Sequence, residues 1–481
     1  MTITKQNPAD ILQRYFGHPA FRWQQEQVIE HVLRGNHALV IAPTGMGKSV
    51  CYQIPAIVNN NLTVVISPLI ALMKDQVDTL TRRGIDAAYI NSSLNPQERE
   101  TRYAAVEHGD YKLIYVTPER FRKAEFIKAI TKRRIDLLAV DEAHCISEWG
   151  HDFRPDYTRL QEIRSILGNP AIIALTATAT PDVQADIIHQ LGLKADQIKI
   201  FHEGINRPNL HLAVEEVWGD EEKLARILRI TDRYNNNGIV YFTLIRNLNR
   251  FSEHLTKQKV PHVCYHGKLD APRRSSIHER FMQKDTMLVL ATNAFGMGID
   301  KENIRMVIHA DIPGSMESYY QEIGRAGRDG LDAQCTLLYD EEDLLTQMEF
   351  IQWSNPNAEY YQQVHHILKR DCEKISTYGM DWLKDTLHRK NRNDYRMETA
   401  LNMLDRYGVT ERVDGSPCLK IINDLPPRLL DQKALEDKRI RDQKKLYAMV
   451  QYAKHQGNRK AFIHRYFGLP YGEKEGGRLS G

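Results

Sequence analysis

Ala38-Leu-Val-Ile-Ala-Pro-Thr-Gly-Met-Gly-Lys-Ser49 is the stretch from which the fold follows. Its apolar run, Leu39 to Ile41, reads as a buried strand. It breaks into a loop with two glycines and ends at Lys48-Ser49, where a helix can start. Gly45 and Gly47 carry no Cβ, so backbone N–H groups can curl around phosphate oxygens there. Thr44 and Met46 lie in the same cradle, Lys48 can reach β- and γ-phosphates, and the Ser49 hydroxyl suits a magnesium position. A helix beginning here aims the positive end of its dipole at the anion. The usual pattern is G-x-x-x-x-G-K-[ST], and Ala42 stands where its first glycine would be. Taken alone, the loop is also compatible with an ordinary strand–turn–helix connection.

Outward from this loop the same rhythm recurs. Thr63–Ile66, Leu113–Val116, Leu137–Val140 and Ile172–Leu175 read as further buried strands, with helix-period segments such as Ile70–Leu80 and Pro181–Leu191 between them. Such alternation predicts an α/β domain around a parallel sheet. It restarts with Ile239–Phe242, Val260–Tyr265, Met287–Leu290, Met306–His309 and Cys335–Leu338. The expected organisation is therefore two tandem parallel-sheet α/β domains, residues 1–205 and 206–345, joined between Gly204 and Glu216. Beyond Asp340 the pattern turns mainly helical. Within 346–430, Met397, Ala400, Leu401 and Leu404 form an i, i+3, i+4, i+7 stripe ending at Gly408. Val409, Glu411 and Val413 then alternate with polar residues, Asp414–Pro417 turns, and Leu419–Ile421 returns. That outline fits a winged helix or an irregular helical extension. Residues 431–481 read as a basic helical hairpin with a break at Gly457.

Bulk properties narrow the class. At 481 residues the chain exceeds one hydrophobic core, and 42% apolar with 26% charged residues is the composition of a globular protein. No apolar run approaches the ~18 residues of a membrane span, and the N-terminus lacks an apolar signal core, so an intracellular, cytoplasmic protein is expected, nucleoid-associated if bacterial. The six cysteines are scattered without a C-x-x-C pair, with neither zinc knuckle nor disulfide framework written locally, and most read as small buried residues in a reducing compartment. Net charge is +3, yet Asp431–Gly481 has twelve Lys/Arg against six Asp/Glu, or +6, leaving −3 for the rest. That segment suits a polyanion, although a solvated helix face explains it as well.

Three further groups bear chemistry. Asp141-Glu142-Ala-His144 ends a buried strand roughly ninety residues after the glycine loop. There Asp141 can hold magnesium, and Glu142 can position or deprotonate a water. Thr176 and Thr178, in Ala174-Leu-Thr-Ala-Thr-Ala-Thr-Pro181, can relay from these acids to another site or simply start a capped helix. Gln321-Glu-Ile-Gly-Arg-Ala-Gly-Arg328 spaces Arg325 and Arg328 three apart, which predicts one helical face. A guanidinium there can stabilise charge on a transferred phosphoryl group, or take part in a surface salt bridge.

In this order, over roughly residues 1–345, these motifs resemble the superfamily 2 helicase core, and specifically that of the RecQ DNA helicases. Phe21-Arg-Trp-Gln-Gln25 resembles the family's adenine-reading motif. The resemblance implies that Gln25 hydrogen-bonds adenine, that Arg22 packs on it and that His18 occupies the stacking position. Trp23-Gln24 replaces the usual Pro-Gly. Ser67–Val77 and Thr117–Arg120 follow, then an aromatic-rich loop, Cys145–Tyr157, which is the most discriminating match. In it Trp149, Phe153 and Tyr157 can stack on unpaired bases, at about 1–3 kcal/mol per base. His151 and Arg154 can add hydrogen bonding, cation–π or phosphate contact. Tyr241-Phe-Thr243 and Tyr265-His266-Gly267 resemble backbone-contacting motifs. Leu290–Asp300 resembles the segment that couples nucleotide state to strand grip. By resemblance Arg328 is the arginine finger, with Arg325 and Gln321 beside it.

The resemblance implies two RecA-like domains and an ATP-dependent DNA helicase that moves 3′ to 5′ on a single strand and opens duplex in repair or recombination. ATP and Mg²⁺ are its implied cofactors. Single-stranded and forked DNA are the implied partners, with single-strand-binding or other repair proteins beside them and no membrane. A translocase or annealing factor without productive unwinding, and a non-catalytic nucleic-acid scaffold, are the alternatives. Leu446–Gly468 resembles the family's zinc hairpin, but Asn458 stands where the first cysteine ligand is expected and Pro470–Gly477 lacks the later ones. No zinc is expected, and the 355–430 segment is the expected stabiliser of that hairpin.

Overall fold

The computed structural model describes residues 7–147, 154–296, 299, 301–387, 394–412 and 418–471. Two parallel sheets dominate it. The first contains β1 (His37–Ile41), β2 (Leu62–Ile66), β3 (Ala87–Ile90), β4 (Leu113–Val116), β5 (Ile135–Val140), β6 (Ala171–Thr176) and β7 (Ile198–His202) in the order β3-β4-β2-β5-β6-β1-β7. The second contains β8 (Leu210–Glu216), β9 (Gly238–Tyr241), β10 (Val263–Tyr265), β11 (Leu288–Ala291), β12 (Met306–His309) and β13 (Ala333–Tyr339) in the order β10-β11-β9-β12-β13-β8. Apolar clusters cover both faces of each sheet. That is why the central strands are continuous Val/Ile/Leu runs.

All ten expected strands form. Three others, β3, β7 and β8, have no such run. They lie at or beside sheet edges, where one face is partly wet; the IKIFH run of β7, for instance, turns Lys199 and Ile200 to solvent. The expected connection between domains is corrected by β8. It pairs in parallel with β13 from Leu210↔Ala333 to Glu216↔Tyr339, so the true link is the short stretch from Glu203 to Asn209.

Beyond the second sheet, the expected stripe Met397, Ala400, Leu401, Leu404 is buried on the helix Arg396–Arg406, and Gly408 follows at φ +68°. β14 (Thr410–Arg412) and β15 (Leu419–Ile421) then pair antiparallel. Val413 and the expected turn at Asp414–Pro417 lie outside the described residues. No disulfide framework is written locally, yet Cys372 and Cys418 form a disulfide with Cα atoms 5.8 Å apart, while Cys51, Cys145 and Cys335 are buried thiols outside any disulfide. Spacing could not reveal the pair, because a 46-residue separation is closed only by the tertiary fold.

The terminal hairpin comprises the helices Gln432–Lys454 and Arg459–Tyr466. Its main support is not the 355–430 segment but the second domain. Met449, Tyr452, Ile463 and Phe467, each at most 3% exposed, complete that domain's core. Tyr452 and Tyr319 hydroxyls meet at 3.0 Å, and Tyr466 donates to Glu317 at 2.8 Å. Four such side chains contribute about 1.5–3 kcal/mol each, the scale of the ~10 kcal/mol a structural zinc can supply. Among the described residues no helix is long and apolar enough to cross a membrane.

A buried ionic cluster marks the exit from the second domain. Lys223 Nζ lies 2.7 Å from Asp343, 3.4 Å from Asp311 and 4.0 Å from Asp340. One cation cannot neutralise three carboxylates, and burial together with Asp311 pushes Asp343 up to about 7, against the pull of Lys223. A carboxyl whose folded pKa is raised keeps its proton in the native state from 3.8 upward, so its contribution to stability is lost as pH climbs to about 7. Lys223, itself shifted upward, titrates outside that window. Asp343→Asn keeps an acceptor for Lys223 and removes the titration. Denaturant unfolding of variant and wild type at pH 5 and pH 8 should therefore show the difference moving in the variant's favour by about 1–2 kcal/mol; a gap independent of pH would refute this reading.

Candidate active site between the two domains

The phosphate loop leaves β1 beside β6, so three strand ends converge. Ala42 N–H donates to the Thr176 carbonyl at 3.2 Å, and the Asp141 N–H to that of Ile66 at 2.8 Å. Gly45 and Gly47 have φ +85° and +73°, a region that side chains disfavour, whereas Ala42 is absent from the positive-φ positions and fully buried. The missing first glycine is thus sterically harmless. Lys48 Nζ donates to the carbonyls of Ala42 (2.8 Å) and Pro43 (3.2 Å). Burial pushes its ammonium down, while Glu142 and Asp141 oppose the shift. Ser49 precedes the helix Val50–Val58.

The adenine-motif residues hold this loop. Gln25 accepts from Arg22 N–H at 2.8 Å and donates to Met46 (3.2 Å) and Gly47 (3.1 Å) carbonyls; a Cβ on Gly47 would stand 2.9 Å from its Nε2. Sequence reading treated Trp23 as a local replacement and missed a contact: its indole N–H donates to the Met46 carbonyl at 2.8 Å. The Arg22 side chain is exposed and His18 half-buried.

Asp141 and Glu142 follow β5. Burial and the neighbouring Glu142 push Asp141 up to about 7, with Lys48 opposing. Glu142 has φ +49°, a strained conformation for a non-glycine residue and one that recurs at functional sites. His144 Nδ1 sits 3.3 Å from Glu142 Oε2 and 3.1 Å from Thr176 Oγ1, and Thr176 donates to the Thr178 carbonyl at 3.0 Å. A continuous polar path thus leads from the acid pair through His144 to the threonines.

The second domain supplies the arginines, but not on one helical face. The helix Met316–Ile323 ends before them, and Gly327 at φ +56° turns the chain. Arg325 is buried inside its own domain, donating to the Gly296 carbonyl, and its charge counters the effect of burial on the Tyr241 hydroxyl. Arg328 instead crosses the cleft: a Cβ on Gly45 would lie 3.0 Å from its Cδ, and its Nη1 donates to the Ile299 carbonyl at 2.6 Å. Gln321 is half-buried on the preceding helix.

Of the expected strand contacts, Trp149, His151 and Phe153 lie outside the described residues. Tyr157 is corrected: it is fully buried in the first domain's core and has no face to offer a base. Arg154 donates to the Pro68 carbonyl at 3.0 Å. His266 is half-buried, its pKa lowered by burial and Lys268. Thr243 and Asn293, at strand ends of the second sheet, open on a cavity of about 490 Å³ that Arg406, Lys438 and Lys445 line from the C-terminal side.

Comparison with known proteins agrees with this geometry. The DEAD/DEAH box helicase family model matches residues 22–187, and the helicase conserved C-terminal domain matches 221–330. The ATP-dependent DNA helicase RecQ of Bacillus subtilis (strain 168) is 45% identical over 74% of this chain and 60% of its own length. That of Pasteurella multocida (strain Pm70) is 43% identical over 70% and 53%. The Bacillus subtilis protein named "Probable ATP-dependent DNA helicase RecS" is 38% identical over 85% of this chain and 86% of its own length. The chain belongs to the RecQ family. It spans about half to three-fifths of the RecQ relatives just named. Among solved structures, the helicase MrfA bound to DNA aligns over 88% of this chain and 64% of its own (TM-score 0.61, 16% identity). Mss116p bound to ssRNA and AMP-PNP aligns over 84% and 92% (TM-score 0.58, 16% identity). At such identity these two show the fold alone, the tandem RecA-like domains.

The two arginines of this RecQ-family chain should separate by experiment. Arg328→Ala should cut the ATPase kcat by about a thousandfold with little change in Tm. Arg325→Ala removes a buried guanidinium from between Gly296 and Tyr241 and should lower stability by on the order of 2–3 kcal/mol. Steady-state ATPase assays and thermal melts of both variants decide it; the reverse pattern would exchange the roles.

Proposed function

We propose that this chain is an ATP-driven DNA helicase. The observation that carries the reading is Arg328 of the second domain lying against Gly45 of the first. A phosphoryl group in that loop would be reached from both sides, so hydrolysis and domain approach are one event. Lys48 would neutralise the terminal phosphates, Gln25 and Arg22 would hold the base with His18, and Glu142 would orient the attacking water. Magnesium fits beside Ser49 and Asp141, because an acid pushed up to about 7 by burial and an adjacent acid gains by meeting a cation. Bound there, the ion would neutralise charge on the phosphates.

The strand reading rests on the path from Glu142 through His144 to Thr176, and on the cavity at Thr243 and Asn293. Closing the domains would shift one strand-contacting surface relative to the other; the polarity proposed by family resemblance is 3′ to 5′. Residues 1–205 and 206–345 act as the two motor domains, and 346–430, in which the helices Ala358–Arg370, Cys372–Leu387 and Arg396–Arg406 precede an antiparallel pair, as a winged helix beside them. We further propose that the 431–481 hairpin folds without zinc. Its packing on the second domain supports this, as does Asn458, whose Oδ1 caps the helix Arg459–Tyr466 by accepting from Ala461 N–H at 3.1 Å.

A forked duplex with a 3′ single-stranded tail tests the proposal. With ATP and Mg²⁺ the chain should displace the partner strand, a 5′-tailed duplex should resist, and Lys48→Ala should abolish both displacement and DNA-stimulated ATPase. DNA-stimulated hydrolysis without displacement would identify a translocase instead.

A further inference from the structure

We infer that Arg207, in the link between the two domains, is a positioning residue that holds Arg328 where it meets the phosphate loop. This rests on Arg328 being the arginine finger. The loop that carries Arg325 and Arg328 begins where the helix Met316–Ile323 stops, so its carbonyls have no helical partner. Arg207 supplies one: Nη1 donates to Gly324 at 3.2 Å, and Nη2 to Ala326 at 2.6 Å and Gly327 at 2.9 Å. These three carbonyls bracket Arg325 and directly precede Arg328. A planar fork serves several acceptors from one fixed plane, which an ammonium cannot do.

Asn209 completes the grip. Its Nδ2 donates to Gly327 (2.8 Å) and Leu331 (2.9 Å), its Oδ1 accepts from Arg207 Nε at 3.4 Å, and its carbonyl accepts from Ala333 N–H at 3.0 Å. Gly327 has no room for a side chain, since a Cβ would stand 2.5 Å from Asn209 Nδ2 and 2.6 Å from the Leu331 carbonyl. The link is itself anchored, with Tyr320 hydroxyl donating to Ile205 at 3.1 Å and Lys460 to Pro208 at 2.8 Å. The segment on which the domains pivot is therefore bonded to the backbone on which the finger sits. A change in domain angle would carry the finger with it.

The test compares Arg207→Lys, which keeps a cation but loses the fork, with Asn209→Ala, Arg328→Ala and the double variant Arg207→Lys/Arg328→Ala in the full chain. DNA-stimulated kcat and KM for ATP are measured, with the affinities for MgADP and for MgADP–aluminium fluoride. Arg207→Lys should lower kcat by about ten- to a hundredfold and weaken the transition-state analogue by a similar factor, leaving MgADP affinity unchanged. Asn209→Ala should do the same more weakly. In the Arg328→Ala background, Arg207→Lys should weaken the analogue no further, which a merely structural loss would still do. Wild-type kcat in Arg207→Lys, or an undiminished effect in that background, overturns the positioning role while the finger stands. Wild-type turnover in Arg328→Ala overturns the finger, and the positioning role with it.

Discussion

A Cβ at Gly45 would stand 3.0 Å from Arg328 Cδ, so the phosphate loop of one domain and the arginine of the other are in close contact. The remaining site geometry serves that approach. Gln25 and Trp23 fix the loop from behind through the Met46 and Gly47 carbonyls, and Lys48 folds across its mouth. Two cations, Lys48 and Arg328, thus face one small volume with the acid pair Asp141-Glu142 below it. Burial, with Arg328 adding to it, lowers the Lys48 ammonium, and burial with Glu142 raises Asp141, shifts that a polyanion with its counter-cation would oppose.

How far this could be read in advance depended on whether a feature was local. The loop, the acid pair and the central strands were legible because each is a short run whose chemistry requires those residues at that spacing. Ala42 looked like a defect only because the motif is written by residue type; the backbone angle there asks for no glycine. The arginines show the opposite. Spacing placed Arg325 and Arg328 on one helical face, but Gly327 ends that periodicity and sends one inward and the other across the cleft. Tyr157 shows a second limit, since composition cannot tell a stacking aromatic from a core one at the end of the same loop. The Cys372–Cys418 pair and the strand β8 were hidden because only long-range pairing creates them.

The C-terminal region touches both sheet domains, the first through polar contacts of Arg122 and the second through a buried apolar seam. Arg122 of the first domain forms an ion pair with Asp156, near the end of the segment Cys145–Tyr157, and also donates to the carbonyls of Asp405 and Arg406 at the end of the helix Arg396–Arg406. On the other side the terminal hairpin completes the second domain's core and reaches the link through Lys460. The region is therefore tied to the second domain by buried side chains, and it meets the first at Arg122 and where Gly468 approaches Pro181. Core burial of several side chains exceeds what a few hydrogen bonds contribute. Domain opening should then break the Arg122 contacts before it disturbs the hairpin. Because Arg122 also pairs with Asp156, one guanidinium joins the end of the helix Arg396–Arg406 to the segment that follows the acid pair, so the two cannot move apart without losing it.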